Sequence, residues 1–204
     1  QMIELGWAGI AIEESFGGFN FGHAGLGVVL EETGRTLVSS PLISSVLLGA
    51  TAISYFGSDV QKKYLLPKVV KGQLLLALAV DELPIHSPNR IESFATKVDG
   101  GYRINGNKTF VLDGHVAEKL IVVARIDKGG VSRQDLNLFV VDKKAPGLNI
   151  QRTSMVDCRN CANLYLTDVY VEEENRLGVD ISVEHGASRL CLLYTSDAAD
   201  EVVS

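Results

Sequence analysis

The sequence predicts an α+β protein in two units, an N-terminal all-α domain followed by an antiparallel β-sandwich or open-barrel domain. Three observations carry this expectation. Apolar residues recur at helical spacing over roughly the first 72 positions. At about Gln73 the apolar period shortens from the helical value to alternation. After that point, Gly-containing turn pairs such as Asp99-Gly100 and Asn105-Gly106 punctuate short apolar runs.

The elements follow in order. Leu26, Val29, Leu30, Thr33 and Leu37 share one helical face, with Glu31 and Glu32 on another. Ile43 to Phe56 forms a second, apolar-rich helix that Gly57 ends. Ser58 and Gln61 spell a capping box that opens a third helix. Pro67 is expected to interrupt that helix and Gly72 to close it. Strands are expected at 74–80, 94–99, 102–104, 108–112, 119–126, 136–142 and 163–171. The runs "KLIVVARI" and "LNLFVVD" are apolar almost without a break, so their sheet should be covered on both faces.

Composition narrows the function classes. The 204 residues are 46% apolar with a net charge of −6, and no Lys/Arg cluster stands out, which argues against a nucleic-acid surface. The longest apolar runs, such as "LLLALAV", are too short to span a bilayer. No charged-then-apolar leader opens the chain, so a cytoplasmic setting is expected. Cys158 and Cys161 form a lone C-x-x-C without the further ligands zinc needs, and are expected to be two unpaired thiols, with no metal site. Asp81 and Glu82 are neighbours on an extended segment and point to opposite faces, so they cannot act together on one atom. Glu172, Glu173 and Glu174 are expected to form a solvated connection, and no role falls to His23, His86, His115 or His185. Phosphate-binding glycine loops, H-E-x-x-H and G-x-S-x-G are absent from the sequence.

Five segments in order carry a resemblance: "ELGWAGIAIEESFGGFNF", "YFGSDVQKKYLLPKVVKGQLLLALAVDE", "GGYRINGNKTFVLDGHVAEKLIVVAR", "LNLFVVDKKAPGLNI" and "LYLTDVYVEEENRLG". Together, over about residues 1–178, they resemble the acyl-CoA dehydrogenase family. The resemblance implies a helical domain, a middle β domain and a C-terminal four-helix bundle, with FAD against the β domain. It therefore implies a truncated chain: a partial helical domain at 1–72, the β domain at 73–172, the start of the bundle at 173–190, and a tail foreign to the fold at 191–204.

Two signatures of the family are present in altered form. In "AVDELPIHSPNR", Val80 and Glu82 match, and Asp81 stands where the family has a hydroxyl residue facing the flavin. Ser87 falls on a Ser that contacts the flavin or the bound thioester, while Leu83, His86 and Pro88 depart from the pattern. In "KTFVLDG", Phe110 takes a Trp position and Leu112 a Thr position. Alternation puts Phe110 and Leu112 on one side of a strand, either filling a core or forming a wall. The resemblance favours a wall on which the flavin lies, with Val80, Asp81, Ser87, Phe110 and Leu112 as the cofactor-binding set.

The implied chemistry is α,β-dehydrogenation of an acyl-CoA thioester to the trans-2-enoyl-CoA in fatty-acid β-oxidation, with electrons passed to an electron-transfer flavoprotein. The implied assembly is a homo-oligomer, typically a homotetramer, or a hetero-oligomer. The family's catalytic base lies in the bundle, so no catalytic residue is expected within this chain. Two other readings stay open on sequence grounds: a non-catalytic subunit of a heteromeric dehydrogenase, and a flavin-dependent monooxygenase or oxidase on the same fold.

Overall fold

A computed structural model describes residues 2–85, 90–126, 136–156 and 159–178. The expected order of helices and then sheet is observed. Helix α1 spans Gly22–Arg35. A π-helical stretch, Leu42–Ala50, runs directly into α2, Thr51–Phe56. The capping box forms as expected at the start of α3, Asp59–Val70: Ser58 N–H donates to Gln61 Oε1 (2.8 Å), and Gln61 N–H donates to Ser58 Oγ (3.3 Å). The Gln61 side chain also donates to the backbone carbonyls of Glu174 (2.7 Å) and Arg176 (3.0 Å), tying the helix to the end of the sheet.

Pro67 does not interrupt α3, contrary to expectation. Proline removes one helical hydrogen bond, but the flanking Leu66 and Val69 are almost completely buried, and their burial holds the last turn in place. Among the described residues no helix is long and apolar enough to cross a membrane.

The strands are β1 (Leu76–Ala79), β2 (Phe94–Val98), β3 (Gly101–Leu112), β4 (Lys119–Ile126), β5 (Leu136–Asp142), β6 (Leu148–Thr153), β7 (Cys161–Glu172) and β8 (Arg176–Leu177). They form one open sheet in the order β6-β7-β3-β2-β4-β5-β8, with β1 also on β4. Five pairings are antiparallel. Strands β1 and β2 instead run parallel to β4, one after the other along the same edge: Leu76 faces Lys119, and Phe94 faces Arg125.

Asp99-Gly100 makes the β2–β3 hairpin turn, with Gly100 at φ 74°. Asn105-Gly106 makes no turn. Strand β3 runs through it, and the register shifts between Ile104 and Gly106. Glycine is needed there because Ser93 packs against the backbone, and a Cβ would lie 2.2 Å from Ser93 Oγ. The triple Glu is also not simply solvated. Glu173 accepts a hydrogen bond from Tyr102 Oη (3.1 Å) and pairs with Arg176 (3.4 Å) and Lys97 (3.7 Å).

Both faces of the central strands are covered, as their apolar runs predict. Leu76, Leu78, Ile121, Val123, Leu138 and Val140 face the helices. Their alternating neighbours Ala77, Ala79, Val122, Phe139 and Val141 pack instead with Tyr102 and Ile104 of β3 and Leu164 and Val169 of β7. The helical layer comes close to β1 at Gly49, where a Cβ would lie 2.4 Å from Leu76 Cβ. Gly49→Ala is therefore expected to destabilise the protein by about 1–3 kcal/mol through overpacking. Urea denaturation would measure this, and an unchanged midpoint would refute the close fit.

Candidate functional site

Strand β1 leaves the edge of β4 after Ala79, and β2 rejoins that edge at Phe94. The intervening segment carries the first signature, and β3 holds it by its start. Lys108 Nζ donates to Val80 O (3.0 Å) and to Glu82 Oε1 (2.7 Å). Thr109 N–H donates to Asp81 O (2.8 Å), and Thr109 Oγ1 donates to Leu83 O (3.0 Å). Four consecutive residues, Val80 to Leu83, are thus each bonded by Lys108 or Thr109. The two signatures, distant in sequence, lie side by side.

Lys108 and Glu82 are both buried, with side chains 0% and 8% exposed. Burial holds the Lys108 ammonium down at about 8, against the opposing attraction of Glu82 and, more weakly, Asp81. Burial pushes Glu82 up, but the Lys108 charge and hydrogen bond, helped by the Glu92 backbone N–H, outweigh it and leave the carboxyl below its ordinary value. The two partners therefore shift for different reasons. Desolvation decides at Lys108, whose hydrogen bonds to one carboxylate and one carbonyl, with the charge of Asp81 nearby, do not offset it. Converging donors decide at Glu82, which also accepts from the N–H groups of Glu92 and Ser93.

Beyond Thr109, β3 carries a bulge, with the register to β7 shifting between Lys108 and Val111. Phe110 sits in this bulge at φ 51°, its N–H donating to Asn163 Oδ1 (3.2 Å), and the residue is 39% exposed. Val111 turns into the β core, while Leu112 is half-buried against the helical layer. The simple alternation that would put Phe110 and Leu112 on one face is interrupted at this bulge. Asp113 follows at φ 56°, anchored by its N–H to Asn160 O (2.8 Å). Its Oδ2 accepts from Ser44 Oγ in the π-helical stretch (2.5 Å). Between these elements lies a cleft of about 480 Å³, walled by Leu30 and Thr33 of α1, by Ser40 and Ser44, and by Leu112 and Asp113.

Of the cofactor set expected from sequence, Val80 and Asp81 are 1% and 7% exposed, so their side chains present almost no surface. The charge of Asp81 lies near Lys108. Leu112 lines the cleft, and Phe110, close to it in the chain, is partly exposed. Ser87 lies outside the described residues, as do His86, Cys158 and the tail from 179. Cys161 is a buried thiol outside any disulfide. The polar cleft residues Ser40, Ser44 and Asp113 were not marked as a site by sequence reasoning. The signal available was the run "SSPLISS", which places serines on both sides of a proline at the head of an apolar helix.

Phe110 is a partly exposed aromatic residue on a bulge, a surface that can stack on a flat group. Comparison with known proteins identifies the family. The profile of the acyl-CoA dehydrogenase N-terminal domain matches residues 1–73, and that of the middle domain matches residues 87–169. A mitochondrial 2-methylacyl-CoA dehydrogenase of Solanum tuberosum is 32% identical over 184 residues, 83% of this chain and 42% of that protein. A chain in the structure of the electron transferring flavoprotein of Acidaminococcus fermentans matches with a TM-score of 0.81 at 26% identity, covering 94% of this chain and 51% of that one. An acyl-CoA dehydrogenase complexed with FAD from Bacillus anthracis matches with a TM-score of 0.81 at 25% identity, covering 95% of this chain and 34% of that one. The chain spans about half or less of the length of these relatives. With both domain profiles matched in order, it belongs to the acyl-CoA dehydrogenase family, whose members are FAD-binding oxidoreductases.

Proposed function

We propose that this chain supplies the flavin wall and one side of the acyl pocket of an enzyme that α,β-dehydrogenates an acyl-CoA thioester to the trans-2-enoyl-CoA. One observation carries the reading: the two signature segments are stitched together by Lys108 and Thr109, and the chain leads from them through Phe110 to a cleft under the helices. FAD bound at this wall would accept the hydride that leaves the β carbon. Phe110 would stack on its ring, Leu112 would exclude water from the reacting face, and Val80 and Asp81 would contribute backbone rather than side chains. Ser87 belongs to the same proposal through its place in the signature. An electron-transfer flavoprotein as electron acceptor, a homo- or hetero-oligomeric assembly and a cytoplasmic setting complete it.

The α-proton needs a base whose carboxylate is desolvated and uncommitted. The carboxylates flanking this wall are otherwise engaged. Asp113 accepts from Ser44, and Asp81 is buried beside Lys108. The 204-residue protein, given excess FAD, acyl-CoAs of several lengths and an artificial electron acceptor, is therefore expected to show no turnover above a no-protein control. Turnover would mean that a carboxylate of this chain serves as base, with Asp81→Asn the first variant to make. The wall itself is tested by flavin fluorescence. FAD is expected to be quenched on binding, and Phe110→Ala to weaken binding by about two- to tenfold, the worth of one aromatic contact. Unchanged binding in Phe110→Ala would remove Phe110 from the wall.

A further inference from the structure

The π-helical stretch Leu42–Ala50 lies between α-type turns. At its start Ser45 N–H donates to Pro41 O (2.8 Å), four residues back, and α2 follows its end directly. Near its end the spacing is wider: Thr51 Oγ1 donates to Val46 O (3.3 Å), five residues back. A π turn is rare and holds one residue more than the α turn that would replace it. The sequence "LISSVLLGA" contains no proline to forbid an α-helix, so the cause of the wide turn lies in its partners.

Ser44, Ser45 and Gly49 join the stretch to the sheet. Ser45 Oγ accepts from Leu76 N–H (3.1 Å), Gly49 sits against Leu76 Cβ, and Ser44 Oγ donates to Asp113 Oδ2 (2.5 Å). Ser45 and Gly49 are four apart and share a face in an α-helix as well as in a π-helix, so the seat on β1 suits both. Ser44 and Gly49 are five apart and share a face only in the wider turn. Of the three joins, Ser44–Asp113 is the one that requires the π register. It is also readily given up. Ser44 Oγ has a second acceptor in Pro41 O (3.2 Å), and Asp113 lines the cleft, where water can reach it.

The loop before the stretch, residues 36–41, can take up the extra residue. Leu37 is held there at φ 51° by the C-terminal cap of α1, in which Leu37 N–H donates to Gly34 O (3.2 Å) and Val38 N–H to Thr33 O (3.0 Å). Glycine usually fills this position, because a Cβ is disfavoured in the left-handed region. Leu37 is 81% exposed and gains no burial in return. The loop thus carries strain that a shift of one residue would release.

We infer that Leu42–Ala50 is a two-state device locked in its π register by the Ser44–Asp113 bond. Opening the bond lets the stretch close up as α-helix, passes one residue into the loop, and turns Ile43 and Ser44 by about 100° relative to Gly49. Both residues line the cleft, so its wall is rebuilt. A group in the cleft that takes Asp113 from Ser44 is thereby coupled to the shape of the cleft.

The test compares crystal structures of the 204-residue protein and three variants. Ser44→Ala and Asp113→Gly open the bond from its two sides, and glycine suits the φ of 56° at position 113. Asp113→Asn keeps an acceptor and a residue type that tolerates the left-handed backbone. Bonds of the four-residue kind are expected throughout 42–50 in both opening variants, with Leu37 out of the left-handed region, and an unchanged π stretch in Asp113→Asn. Should Ser44→Ala not fold, Asp113→Gly reads the same bond from the sheet side. A bond that merely stabilises would lower the melting temperature and leave the register as it is. A π stretch that persists in either opening variant, that is lost in Asp113→Asn, or that is absent from the unsubstituted protein would overturn the inference.

Discussion

Lys108→Met is expected to cost about 3–5 kcal/mol of folding stability, because it leaves the buried Glu82 carboxylate without its cation. Methionine fills much of the lysine stem, so the loss reports the charge rather than a cavity. Adding Glu82→Gln should recover most of the loss: the amide oxygen can still accept from the Glu92 and Ser93 N–H groups, and no unpaired charge remains. Urea denaturation of the two single variants and the double variant forms the cycle. A double variant no more stable than Lys108→Met would refute the pairing as the cause. The pH dependence has two limbs. Lys108 titrates at about 8 in the fold against 10.5 ordinarily, so between these values the unfolded chain binds more protons and stability rises with pH. Glu82 lies below its ordinary 4.5, so its contribution is present above that value and is lost as pH falls through the folded pKa. Both limbs should vanish in the double variant, read as melting temperature against pH.

Phe139→Ala is expected to cost about 3–5 kcal/mol, the usual range for a fully buried aromatic. Phe139 is 0% exposed on β5 and meets Tyr102 edge-on, with ring centroids 5.2 Å apart. The Tyr102 hydroxyl in turn donates to Glu173 and accepts from Arg176 (3.0 Å), whose Nε donates to Asn137 (2.9 Å). Removing the ring leaves a void under this network and loosens the join between β3, β5 and β8. Phe139→Leu should cost less than half as much. A loss below about 1 kcal/mol for Phe139→Ala would mean that the two layers collapse onto each other more readily than their close packing implies.

What was legible in the sequence was what local chemistry decides. Ser58 and Gln61 form a cap from their own local bonds, and the unbroken apolar runs of β4 and β5 suit strands buried on both faces. What was not legible depends on distant partners. Asn105-Gly106 has the composition of a hairpin turn, but β7 pairs along the whole of β3, so the glycine serves as a site of close approach for Ser93. Strand β6 is half-exposed, with a mixed sequence, "LNIQRT", and is fixed by its ladder to β7 and by the packing of Leu148 and Ile150 on the β core. The parallel pairs of β1 and β2 on β4 carry no local mark either. Around the candidate site, the signature singled out Phe110 and Leu112, and the structure places Leu112 on the cleft. The bulge that separates their surroundings was not, nor was the approach of Ser44 to Asp113 across the helix–sheet junction.

The parallel seat of β1 on β4 also bears on how the chain is made. β1 closes its ladder only against residues 119–122, roughly forty positions downstream, and such non-local contacts form late. Leu76 and Leu78 share a core with α2 and α3, and that core is completed by Ile121, Val123, Leu138 and Val140. During synthesis at about 5–20 residues per second, the helices therefore emerge several seconds before the strands that cover them. Over that interval the core that Leu76 and Leu78 share with the helices is expected to stay incomplete, which makes the nascent chain more prone to aggregate until β4 and β5 have emerged.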